Sequence, residues 1–479
     1  MTDLLWTTQT LCEVMQAQSV GDMPDGITGI SIDSRTIGPG EAYFAIRGDV
    51  HDGHKFVAGA FGNGGGLSVV SQDWQERLTG ETGPLLVVDD VLLALERLGM
   101  AARARTDARV IAVTGSVGKT TTKEALRTAL APSGSVHAAV ASFNNHWGVP
   151  LTLARMPRDT NYAVIEIGMN HPGEIIPLVK MTRPHVAMVM NVAAVHLGAF
   201  ESVDEIARAK AEIFQGVEPG GVALINGDDE RLDLLVNWAK QAGVESVKTF
   251  GEKKFCDSHL SKLVLHGSCS CLTASILGDD IVVKVGAPGR HIAQNILGVL
   301  AACKLVGADL ARAGLAVADM RPVKGRGERH TIGGADNRLV LIDESYNANP
   351  TSMRAALALL ADAPVKGRGR RVAVLGDMLE LGPLSTDFHV GLDEPILEGR
   401  IDKVFLAGQE MKALHEALLE RANVTHRDTI DQLIPLVFAE LQNGDVVMAK
   451  ASLGMRFARF VDALLKADTK DFNAPMAPN

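Results

Sequence analysis

The segment Val110-Ile-Ala-Val-Thr-Gly-Ser-Val-Gly-Lys-Thr-Thr-Thr122 runs from a buried apolar strand through a glycine turn into a helix. A turn of this kind is built to hold phosphate. Gly115 and Gly118 let backbone N–H groups from Thr114 to Thr121, Ser116 among them, curl around phosphate oxygens. The helix that follows turns its positive end toward the same point. Lys119 has the reach for β- and γ-phosphates, and the Thr120 hydroxyl is a candidate ligand for Mg²⁺. The expected ligand is a nucleoside triphosphate. The common form of the loop keeps four residues between its first glycine and the Gly-Lys pair. Here that first position is Val113, and only Ser116 and Val117 separate Gly115 from Gly118. The shortened spacing narrows the families that fit.

Further candidates stand at the ends of other apolar runs. Glu166 closes Ala163-Val-Ile-Glu166, where a parallel sheet binds its ligands, and beside a phosphate loop it reads as a metal carboxylate. His196 follows the run Val186–Asn191 and is either a second strand-end ligand or a hydrogen-bonded structural residue. Ser202-Val-Asp-Glu205 opens a helix as a capping box, and on that helix Lys210 shares a face with Ile206 and Ile213. Two readings of Lys210 stay open. It is a lysine that snorkels to water, or a buried neutral amine able to take up CO₂ as a carbamate. In Leu341-Ile-Asp-Glu-Ser-Tyr-Asn-Ala-Asn-Pro350, Asn349 and Pro350 read as N-cap and first helical residue. Asp343, Tyr346 and Asn347 crowd polar groups just before them, and Asp377 and Glu380 repeat the pattern. Ser34, Arg35, Asp52 and His54 bring donors and a cation into early turns.

Positioning these groups takes more than one core. At 479 residues the chain is expected to hold roughly three domains of about 150 residues each. Residues 1–105 carry short strands between glycine-rich turns. Residues 106–318 alternate apolar strands with helical patterns, which predicts a parallel sheet covered on both faces. Residues 319–479 repeat that grammar without a phosphate loop, and Pro322-Val-Lys-Gly-Arg-Gly-Glu328 suits a hinge between the two. The expected fold is therefore α/β in three domains: a central P-loop parallel-sheet ATPase domain, a C-terminal Rossmann-like domain and a smaller N-terminal α/β substrate domain. The C-terminal Asn473–Asn479 segment is expected to fray.

Bulk properties remove several classes of function. A net charge of −10 argues against nucleic acid as the main partner. No apolar run reaches the length of a membrane span, and Asp3 and Glu13 are foreign to a signal peptide. Five scattered cysteines make a disulfide framework improbable, and Cys269 and Cys271 lack the second pair that a zinc site needs. The expected compartment is the cytoplasm.

Taken together, these segments resemble the Mur ligase family, which adds amino acids to the cell-wall nucleotide precursor. Its shortened loop matches Thr114-Gly-Ser-Val-Gly-Lys-Thr120. Its central pattern matches Asn144-Asn-His-Trp-Gly-Val-Pro150, Glu166–Ile175, Ala209–Ile213 and Gly289–Asn295 with Gly325-Arg326. The flanks, Asp33-Ser-Arg35, Arg47-Gly-Asp49, Asp52-Gly-His54, Tyr346–Pro350 and Leu375–Gly382, resemble the branch that adds D-alanyl-D-alanine. Near the C-terminus, Ala451 stands between Lys450 and Ser452 where the family pattern has glycine.

The resemblance implies an ATP-dependent amide ligase that works through an acyl phosphate. It implies UDP-N-acetylmuramoyl tripeptide and D-alanyl-D-alanine as substrates, and a monomer. It implies two Mg²⁺ ions, one on Thr120 and Glu166 and one on His196 and a carbamylated Lys210. Arg326 would then face the transferred phosphate and Asn295 would help seat the adenine. Asp343, Tyr346 and Asn347 would approach the nucleotide from the third domain. Ser34, Arg35, Asp52, His54, Asn144, Asn145 and Asn349 are the implied substrate contacts. Rival readings are a diamino-acid-adding or folylpolyglutamate synthase-like ligase, and, in another class, a P-loop kinase or nucleotide-binding module.

Overall fold

A computed structural model describes residues 4–48, 50–78, 83–195, 198–333 and 338–467. His196, the Asp49 of the Arg47-Gly-Asp49 motif and the Asn473–Asn479 segment lie outside the described residues.

The phosphate-loop strand, Arg109–Thr114, sits inside a nine-stranded sheet between Tyr162–Glu166 and Val186–Val189, and pairs parallel to both. Val110 and Ala112 point into one apolar cluster and Ile111 and Val113 into the other, as the two-residue period of a strand requires. Each face is covered by helices. Lys119–Leu130 and Arg290–Leu305 pack on one side, and Gly148–Ala154, Ile175–Thr182 and Val203–Ala211 on the other. From Arg109–Thr114 the chain first builds toward the edge strand Val136–Ala138, then crosses back to Val186–Val189. The crevice that this reversal opens lies at the carboxyl ends of the strands, where Thr114 and Glu166 end their runs.

The parallel expectation fails at the far edge of this sheet. Ser258–Leu265, Ser270–Ile276 and Asp279–Val285 form an antiparallel meander. The two-residue link Leu277-Gly278 has φ of 47° and 90°, a primed turn that joins only antiparallel neighbours.

Two larger sheets accompany this one, beside a two-stranded antiparallel pairing of Trp6–Thr7 with Gly26–Ile27. Gln18–Val20, Leu85–Val88, Leu67–Ser71, Ala42–Phe44 and Ile30–Ser31 form a five-stranded sheet, parallel apart from its first strand. Trp6 anchors that region to the central one: its indole N–H donates to the Ala154 carbonyl at 2.9 Å, and the Arg105 guanidinium lies 3.3 Å from its ring centroid. The third sheet runs Glu328–Ile332, Leu339–Glu344, Val446–Lys450, Arg371–Gly376, Lys403–Ala407 and Val424–Arg427, parallel except for its first strand.

Candidate active site

A cleft of about 540 Å³ separates the central sheet from the third one, and residues of both line it. Ser116, Gly118, Lys119, Thr120 and Thr121 form one wall, with Asn144, Glu166 and Asn295 beside them. The loop is held from behind. Ser116 N–H donates to the Asn191 carbonyl, Val117 N–H to Asn191 Oδ1 at 2.8 Å, and the Ser116 hydroxyl to the Ala193 carbonyl. Gly118 has φ of 86°, and a Cβ there would stand 3.0 Å from the Asn295 amide. The positive φ favours glycine there, and the Asn295 amide lies against the phosphate loop. Lys119 Nζ donates to the Gly115 carbonyl at 2.7 Å. Desolvation holds its ammonium below the usual lysine range; Glu166 opposes that shift and Arg326 adds to it.

Thr120 and Glu166 meet directly. The threonine hydroxyl donates to Glu166 Oε1 at 3.1 Å, and Asn144 Nδ2 donates to the same oxygen at 2.7 Å. Glu166 is 2% exposed, and its Oε2 has no hydrogen-bond partner among the described residues. A buried carboxylate oxygen left unsatisfied costs free energy unless something cationic takes it up. Two hard oxygen donors with one lone carboxylate oxygen fit a small divalent cation such as Mg²⁺. Ser142 belongs to this group too, with its hydroxyl 3.3 Å from that of Thr120. The sequence reading missed it because the link runs through space.

Lys210 is 2% exposed, and its side-chain amine has no hydrogen-bond or ion-pair partner among the described residues. The snorkelling reading therefore fails. Burial pushes its amine well below the usual lysine range, and repulsion from Lys119 pushes the same way. A shift in this direction favours the neutral, nucleophilic amine that carbamate formation needs. The helix opens as expected in part: Ser202 Oγ accepts from Glu205 N–H, but the Glu205 carboxylate returns to Glu201 N–H, not to Ser202.

On the opposite wall, the Arg326 guanidinium stacks 4.1 Å from the Tyr346 ring centroid. Gly325 accepts from Tyr346 N–H and Gly327 N–H donates to the Asp343 carbonyl, so the arginine is welded to the strand end beside it. Asn347 and Asn349 line the cleft as well. Asn349 caps its helix with a full capping box, its Oδ1 accepting from Ser352 N–H at 2.9 Å.

Asp343 is a correction. It is 1% exposed, takes no part in the cleft surface, and accepts from the Ser345 N–H and hydroxyl to shape the turn. The acid that faces the cleft is its neighbour Glu344, because successive strand residues point to opposite faces. Glu344 pairs with the buried Lys450 at 3.2 Å, and Lys450 also donates to the Asn347 carbonyl at 2.9 Å. Ala451 sits against Gly376, where a Cβ would come within 2.8 Å of its methyl group, so the two small residues share one space.

The remaining sequence candidates lie away from this cleft. Asn145 turns from it to cap Gly148 N–H. Arg35 is paired with Asp33 at 2.7 Å on an exposed turn that also carries Ser34. His54 is 2% exposed and faces inward: Nδ1 lies 2.6 Å from Asp52 Oδ1, Nε2 accepts from Ser71 N–H, and the ring stacks on Trp74. Asp52 and His54 thus brace a loop of the first sheet.

Family models match each of these three regions: the Mur ligase family catalytic domain over residues 26–103, the Mur ligase middle domain over 113–303, and the Mur ligase glutamate ligase domain over 325–453. The UDP-N-acetylmuramoyl-tripeptide–D-alanyl-D-alanine ligase of Escherichia coli K12 is 35% identical over 92% of this chain and 95% of its own. The chain belongs to the Mur ligase family. Among solved members of that family, MurF from Acinetobacter baumannii superposes with a TM-score of 0.82 at 31% identity, covering 96% of this chain and 99% of its own. MurF from Thermotoga maritima, solved in complex with ADP, gives 0.74 at 25% identity, covering 91% and 97%. No helix among the described residues of this Mur ligase is long and apolar enough to cross a membrane.

Proposed function

We propose that this Mur ligase uses ATP to join D-alanyl-D-alanine to the terminal carboxylate of a UDP-N-acetylmuramoyl tripeptide, releasing ADP and phosphate. The observation that carries this reading is the buried Thr120–Glu166 pair beside the phosphate loop. It belongs to a chain whose relatives, over nine-tenths of its length, are named for that reaction.

The chemistry follows from charge. The tripeptide carboxylate attacks the γ-phosphorus of ATP, the bond to the β-γ bridging oxygen breaks, and an acyl phosphate and ADP result. The amine of D-alanyl-D-alanine then attacks the acyl carbon, and the tetrahedral intermediate expels phosphate and loses a proton to leave an amide. The first step brings an anion onto a polyanion, so that repulsion must be cancelled. Lys119 and the backbone N–H groups of Gly118–Thr121, at the start of the phosphate-loop helix, hold the phosphates on one side. Arg326, carried by the opposite wall, meets them on the other. Mg²⁺, when bound to Thr120 and Glu166, supplies further neutralisation of phosphate charge. Asn144 orients Glu166 for that task.

The same reading gives Lys210, in carbamylated form, to a second Mg²⁺ together with His196. Asn295 serves the nucleotide, and Tyr346 and Asn347 close over it. Residues 1–105 hold the uridine diphosphate end with Ser34 and Arg35, residues 106–318 the ATP, and residues 319–479 the acceptor amine. The enzyme acts as a monomer in the cytoplasm.

The test is phosphate release in an omission matrix: UDP-muramoyl dipeptide or tripeptide, combined with D-alanyl-D-alanine, a diamino acid or no amine. Release confined to tripeptide plus D-alanyl-D-alanine, with a pentapeptide product by mass, is the expected result. Release with dipeptide and diamino acid would reassign the substrates and keep the mechanism. Absence of amine-dependent release in every combination would overturn the ligase reading.

A further inference from the structure

Lys123 is fully buried, on the same face of the phosphate-loop helix as Thr120 and one turn further along. Its Nζ donates to the Ala139 carbonyl at 2.6 Å and the Ala141 carbonyl at 3.2 Å, and lies 2.9 Å from Glu124 Oε1. An ammonium has three N–H donors, and here each has an acceptor. The two carbonyls begin the segment that carries Ser142 to the Thr120 hydroxyl and Asn144 to Glu166 Oε1. The far end of that segment is held as well: Gly168 N–H donates to the Asn144 carbonyl at 2.8 Å, and the Asn144 amide packs on Gly168 where any Cβ would crowd it. The segment between these anchors is irregular chain with no ladder of its own.

We propose that Lys123 is a positioning residue for the phosphate site: its ammonium staples the 139–144 segment to the phosphate-loop helix and so fixes Asn144 and Ser142 on the Glu166–Thr120 pair. The proposal rests on the nucleotide reading above. Without the staple, the two carbonyls lose a buried donor and the segment drifts from the helix. Asn144 then no longer holds one Glu166 oxygen while the other is left for a cation. The consequence falls on the metal-dependent part of nucleotide binding, and the backbone N–H groups that cradle phosphate are untouched.

Equilibrium binding of ATP to the full-length protein, without the other substrates, tests this in the presence of Mg²⁺ and in EDTA. In Lys123→Met the Mg²⁺-dependent gain in affinity should shrink by about tenfold or more, with affinity in EDTA kept within about twofold. Asn144→Ala should show the same pattern. Combining the two should add little, because both act through one contact. Lys123→Gln keeps two N–H donors; it should fall between wild type and Met, and it carries the test alone if the Met variant does not fold. Equal losses with and without Mg²⁺, or full additivity with Asn144→Ala, would overturn the proposal. So would a Lys123→Gln variant with the wild-type Mg²⁺ response. Wild-type protein lacking any Mg²⁺-dependent ATP binding would instead sink the nucleotide reading itself.

Discussion

The Thr120 hydroxyl donates to Glu166 Oε1 at 3.1 Å across 46 positions of sequence, and the other oxygen of that buried carboxylate has no hydrogen-bond partner among the described residues. The strand register makes this meeting possible. Glu166 pairs with Val113 near the carboxyl end of the phosphate-loop strand, so it ends its own strand level with the turn that leads to Thr120. In Glu166→Gln the amide oxygen still accepts from Thr120, and the fold should survive with a melting temperature close to wild type. Loss of the anionic donor should lower kcat by about 10²–10³-fold, the size expected for removing one preorganised electrostatic contact. Steady-state phosphate release over a Mg²⁺ titration checks it, and kcat within a factor of three of wild type would remove Glu166 from the metal role.

Lys210 offers a stability test with a definite sign. Its folded pKa lies well below the ordinary 10.5. Between those two values the unfolded chain binds a proton that the native chain does not, so the native state gains stability as pH rises through that window. Lys210→Met removes the buried amine and should stabilise the unmodified protein at pH 7, because the native state no longer has to give up the proton that the unfolded chain keeps. That advantage should fade as pH approaches 10.5. Urea unfolding of both proteins at pH 7 and pH 10 measures it; a difference that does not vary with pH would contradict the argument.

The same residue gives an activity test. Lys210→Ala should abolish turnover, and small carboxylates added to the assay should restore part of it by standing in for the carbamate. Full activity in the variant excludes the proposed anionic role.

Tyr346 should matter through Arg326. Replacing the ring by Leu removes a cation–π contact of about 0.5–2 kcal/mol and frees the guanidinium. A fall in kcat of about 3- to 30-fold is expected, with a smaller change in KM for ATP. Arg326→Lys should be worse, because an ammonium keeps the charge and loses the planar fork. Equal kinetics for the Lys variant and wild type would remove Arg326 from phosphate contact.

Glu344 and the buried Lys450 pair at 3.2 Å, with side chains 14% and 3% exposed. Glu344→Ala leaves the lysine with only the Asn347 carbonyl as acceptor and should destabilise by about 1–3 kcal/mol. Adding Lys450→Met should recover most of that loss. Denaturant unfolding of the two singles and the double gives the coupling directly, and additive losses would show that the pair is not coupled.

Much of this protein is legible in its residues one segment at a time. The glycine turn after Val113, the two-residue period of Val110–Thr114, and Asn349 ahead of Pro350 are signals written in contiguous chain, since backbone dihedrals and capping bonds depend on neighbours a few residues apart. The same holds for Lys210 on an apolar helix face. What the tertiary structure decided is which side chains share a space. Asp343 and Glu344 are adjacent acids on one strand, and only the position of the other sheet makes Glu344 the one that faces the cleft. Asn144 reaches Glu166 while Asn145 turns away to cap a helix. His54, a promising donor in a turn, is packed inward against Trp74. Lys123 is buried because the distant segment from Ala139 packs over it. Local pattern encodes conformation, whereas burial and partnership arise from the packing of distant segments, and that packing sets the electrostatics on which the chemistry depends.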